Sequence, residues 1–117
     1  LRAAAYKNDL LRQNWTPAQP MLLCGGNADP TVFFALNTQG AQAYFASKGV
    51  PAQAVTVLDV DGSPTSASDP FAAAKVGFGQ SKAAAAVGGA AAVMQTYHGT
   101  LVPPFCNAAA RGYFAQF

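Results

Sequence analysis

Two kinds of side chain in this sequence are suited to moving a proton near neutral pH, and both are scarce. His98, in Tyr97-His98-Gly99-Thr100, is the only imidazole, so a general base titrating in the physiological range falls to it. Gly99 beside it lets a loop tip approach a ligand closely. All five acids are aspartates, and Asp29 stands in a distinctive place, three residues after the Gly25-Gly26 pair that closes an apolar run. A carboxylate there can orient an imidazole and balance its charge. It can equally act as a helix N-cap, accepting amide hydrogen bonds with Pro30 at the first helical position. These roles are compatible, and the local pattern leaves both open. A lone histidine, likewise, is more often structural or at the surface than catalytic.

Such residues act only if folding brings them together. Met21-Leu22-Leu23-Cys24 is apolar without alternation, which predicts a strand covered on both faces of a parallel sheet. A turn over 27–31 leads into a helix that stops at Gly49, and the β-branched run Val55-Thr56-Val57-Leu58-Asp59-Val60 predicts a second strand. Strand, helix and strand make a βαβ unit with parallel strands near 21–25 and 54–60, joined by a crossover of at least a dozen residues. Before this unit, residues 1–13 predict an amphipathic helix, and Pro17 and Pro20 bracket a linker. After it, a loop over 63–70 precedes a helical stretch from Phe71 that Gly88-Gly89 should break. Pro103-Pro104 opens a last helix with Cys106, Ala110, Tyr113, Phe114 and Phe117 on one side. Two strands leave sheet edges unpaired, so further strands are expected from elsewhere.

Composition removes several classes of function. The chain has 117 residues, a net charge of +2 and only 10% charged residues, against about 25% in an ordinary domain. Its seven Lys and Arg form no basic stripe, which argues against nucleic acid. The longest uncharged small-apolar run, 83–94, contains two glycines and falls short of the roughly 20 residues of a transmembrane helix. One His and two Cys cannot make a four-ligand zinc site without carboxylates, so neither metal nor cofactor is expected. The chain starts at Leu1 without a leader pattern, which reads as a processed product or a piece of a longer polypeptide.

The run from Pro20 through Asp29-Pro30-Thr31-Val32, then a helix, a strand, Tyr97-His98-Gly99-Thr100 and an aromatic terminal helix, resembles the C-terminal part of a bacterial α/β-hydrolase of the secreted lipase or esterase type. The resemblance implies that residues 1–117 are the C-terminal portion of a single α/β-hydrolase domain, with Asp29 as triad acid and His98 as triad base. Here the loop and Ala-rich stretch between Val60 and His98 depart from members in which the His loop follows the last strand closely. No serine precedes Asp29, although the nucleophile elbow GxSxG should do so. Gly79-Gln80-Ser81-Lys82-Ala83 only imitates that elbow, following the acid and ending in Ala.

On this reading the chain is part of a serine ester hydrolase, is inactive alone, and pairs with the N-terminal portion of the same protein around an ester substrate. Cys24 and Cys106 would then meet as a disulfide, which a secreted or periplasmic enzyme permits; the alternative is two buried thiols. The aromatics fit packing better than an acyl pocket, and the Gly-punctuated Ala-rich tract would on this reading serve as a lid over an ester site. The rival reading is a non-catalytic module whose exposed sheet edge pairs with a partner or with its own copy as a homo-oligomer.

Overall fold

The structure is a computed structural model that describes residues 1–9, 11 and 13–117. Met21–Gly25 forms β1 and Val55–Asp59 forms β2, paired in parallel with Met21 opposite Val55 and Gly25 opposite Asp59. One more bond, from the Val60 amide to the Gly25 carbonyl at 2.9 Å, carries the pairing past the strand ends. Ala54, included in the predicted strand, belongs instead to a 3-10 turn, Ala52–Ala54. The crossover is helix α2, Phe34–Ser47. It stops where expected, at Gly49, whose φ of 77° is a left-handed conformation that favours glycine.

Period-two alternation assigns the two faces of the sheet. Gly25 faces α2, where an added Cβ would lie 3.1 Å from the Phe34 ring. Leu22, Cys24, Leu58 and Val60 face the other way, into a core with Phe78, Tyr97, Leu101, Val102 and Ala109. That core is supplied by α3 (Ala72–Ala86), by a π-helical turn (Tyr97–Leu101) and by α5 (Val102–Phe114), whose first turn carries the two prolines. The Ala-rich stretch breaks at Gly88-Gly89 before α4, Ala90–Thr96, and Gly89 has a φ of 89°. A disulfide joins Cys24 of β1 to Cys106 of α5 across 82 positions of sequence. The fold class is therefore mixed helix and strand, with a small parallel sheet.

Four expectations change. The first helix, α1, covers only Arg2–Asn8 and buries no residue; Leu10 and Arg12 lie outside the described residues. β1 has helices on both faces but is only half-buried at every position, since its outer edge has no neighbouring strand among the described residues. The last helix buries Ala109 and Tyr113 but leaves Phe114 and the following Phe117 exposed. The stretch around His98 is a continuation of the helices, not a loop after a strand.

The molecule is also flat and open. Its extents are 44 × 39 × 20 Å and its radius of gyration is 15.6 Å, against about 13 Å for a compact chain of this length. It exposes 7428 Å², where a monomer of this mass exposes about 6,000 Å². The exposed α1 contributes to the excess, and so do the two strands, which pair only with each other among the described residues.

Candidate active site

The carboxyl end of β1 places Asp29. After Gly25 the chain turns, the Asp29 amide bonding back to the Gly26 carbonyl at 3.1 Å. The side chain folds over its own turn, with Oδ1 accepting the amides of Thr31 at 2.8 Å and Val32 at 3.0 Å. Amide acceptance thus occurs, but ahead of α2, whose N-cap is Phe33. Asp29 is the one buried charged residue among those described.

Its second oxygen, Oδ2, meets His98 Nδ1 at 2.7 Å. His98 lies in the π-helical turn, an uncommon conformation often found at functional sites. The contact spans 69 positions and pairs a carboxylate 3% exposed with an imidazole 47% exposed. Burial pushes the Asp29 carboxyl up, but hydrogen bonds from the Val32 amide, His98 and the Thr31 amide outweigh it and hold the group below its ordinary value. Asp29 is then ionised at neutral pH and can only accept, so Nδ1 carries the proton. In the neutral ring this leaves the lone pair on Nε2, which has no hydrogen-bond partner among the described residues.

A second polar cluster backs this pair, and the sequence carries no signal for it beyond the Gly25-Gly26 pair and the position of Tyr97 beside His98. Asp59 Oδ1 accepts the Asn27 amide at 3.1 Å and the Asp61 amide at 3.0 Å, and its Oδ2 accepts Asn27 Nδ2 at 2.7 Å. The Tyr97 hydroxyl donates to Asp61 Oδ2 at 2.6 Å, an oxygen that also takes Lys82 Nζ at 2.6 Å. The same hydroxyl accepts the Ala28 amide at 3.3 Å.

Nothing described supplies a nucleophile to His98. Ser47 caps the end of α2 by donating to the Tyr44 carbonyl, Ser66 and Ser68 bond each other in the 63–70 loop, and Ser81 sits inside α3 without a strand before it. No group of three or more potential metal ligands occurs among the described residues. Two larger clefts, of about 390 Å³ between α3 and α5 and about 420 Å³ beside Trp15 and Phe114, include neither Asp29 nor His98. No described helix is long and apolar enough to cross a membrane. Comparison with protein-family models, curated proteins and solved structures finds no match to this chain.

Proposed function

We propose that this chain supplies the acid and base of a serine hydrolase acting on carboxylic esters, as the C-terminal portion of an α/β-hydrolase. The observation that carries the reading is the 2.7 Å contact between a half-exposed imidazole and a buried carboxylate at the carboxyl end of a parallel strand. In this reading a serine of the N-terminal portion attacks the ester carbonyl while Nε2 of His98 takes its proton. Asp29 keeps the ring oriented and stabilises the imidazolium, which then protonates the departing alkoxide. The same nitrogen next deprotonates the water that releases the acid. The free strand edges and the surplus exposed surface support a missing covering portion, and the disulfide suits a secreted or periplasmic setting. Adding the N-terminal portion and following an activated short-chain ester tests it: turnover should appear and His98→Ala should abolish it. Unchanged turnover in that variant would overturn the assignment.

Among the described residues β1 and β2 pair only with each other, which favours one other reading, a non-catalytic module that pairs by strand addition with a partner or its own copy. Light scattering separates them from a third state of affairs, since a stable monomer that pairs with nothing fits neither.

A further inference from the structure

Asp29 and His98 sit on separate elements, and a carboxylate–imidazole contact half open to water does not hold two turns in register alone. One residue before each, Ala28 and Tyr97 make a second contact, the Ala28 amide donating to the Tyr97 hydroxyl. The two contacts are successive rungs between the same turns, each with one buried partner, Asp29 in the first and Tyr97 in the second. Tyr97 is 1% exposed, and its ring packs edge-on against Phe78 with centroids 5.5 Å apart. Its hydroxyl is fixed in turn by donation to Asp61 Oδ2, the oxygen that Lys82 Nζ also binds. Asp61 is tied through its amide to Asp59, which also binds Asn27, so the network closes on the turn that leads to Asp29. Gly26 completes the fit, because a Cβ there would lie 2.5 Å from the Tyr97 oxygen.

We infer that Tyr97, anchored by Asp61, is the positioning residue that sets the Asp29–His98 hydrogen bond. The inference rests on that pair being the working acid and base of the proposed function, but its test does not need turnover. Burial and the Asp61 carboxylate both push the phenol above its ordinary value, so it remains a donor wherever the enzyme would operate. Tyr97→Phe keeps the ring and its packing while deleting both hydroxyl bonds.

Proton NMR of the full chain reads the outcome directly, through the downfield resonance of a histidine Nδ1–H bound to carboxylate and its exchange with water. Wild type should show that signal, and Asp29→Asn should lose it. In Tyr97→Phe the proton should exchange at least about tenfold faster, the scale of losing one hydrogen bond to a charged group. Asp61→Asn, which leaves Tyr97 intact, should move exchange in the same direction and provides the reading if Tyr97→Phe does not fold. A folded Tyr97→Phe with exchange within twofold of wild type overturns the role of Tyr97 and leaves the pair standing. A wild type without the signal overturns the pair itself, and the inference with it.

Discussion

Reduction of the Cys24–Cys106 bond should remove a large part of the stability of this chain. The bond joins β1 to α5 across 82 positions, so the crossover helix, β2, α3 and α4 all lie inside the closed loop. In the chain-entropy treatment, opening such a loop frees the unfolded state by about 4.5 kcal/mol at 25 °C. Residual structure in the unfolded chain lowers that figure, so a loss of about 2–4.5 kcal/mol is the expected range. Small domains keep only about 5–15 kcal/mol in total, and this flat molecule has a thin core to fall back on. The assay is urea unfolding followed by circular dichroism, oxidised against reduced, because reduction keeps the two cysteine side chains that pack against the core. With a urea dependence of roughly 1–3 kcal/mol per molar, the midpoint should fall by about 0.7 M or more. A reduced chain unfolding within about 0.3 M of the oxidised one would refute the reasoning. So would two titratable thiols in the native preparation.

Three further outcomes follow from the geometry. Gly26→Ala should cost about 1–3 kcal/mol, since its Cβ must displace the Tyr97 phenol, whereas Gly79→Ala, with open space in the middle of α3, should stabilise by about 0.5–1 kcal/mol; equal denaturation midpoints for the two would contradict the packing. Asp29 is held below its unfolded value of 3.8, so its contribution is complete above that pH and is lost as pH falls toward the folded value. Urea midpoints between pH 5 and 3 should therefore drop less steeply in Asp29→Asn than in wild type, with Asp69, held low by Lys75 and the amides of Thr65 and Phe71, supplying the remaining slope. A fluorophosphonate probe should leave these residues unlabelled, because Ser81 lies within a helix rather than on a strand-to-helix elbow; labelling at Ser81 would replace the proposed function with a self-contained hydrolase.

The parts of the fold that local chemistry controls were legible in the sequence. Apolar runs ended by glycine gave both strands, left-handed Gly49 and Gly89 gave the stops, and the proline pair gave the start of α5. Asp29 and His98 were named from residue type and setting, yet their 2.7 Å contact depends on how α3, the π-helical turn and β1 pack together. What packing alone decides was not legible. Tyr97, Asp61 and Lys82 come from three separate segments, and no spacing rule links them. Gly99 and the resemblance both point to a loop at His98; Leu101 and Val102, buried in the core, instead hold the stretch as a π-helical turn. β1 is only half-buried although both its faces are covered, since an uninterrupted apolar run reports what a strand can bury, not whether a strand lies beside it.

That π-helical turn also fixes the phase of the helices on either side. Bonds from i to i+5 accommodate one residue more than the α-helical ladder does, and at 3.6 residues per turn that residue rotates everything beyond it by about 100°. Val93 before the turn and Val102 and Ala109 after it nevertheless meet the same core. A chain shortened by one residue between Tyr97 and Leu101 would run on as plain α-helix, turning the apolar stripe of α5 aside and carrying Cys106 away from Cys24 as surely as His98 from Asp29. The covalent tie and the Asp29–His98 contact thus share a single structural register, set by one residue of helical overcount.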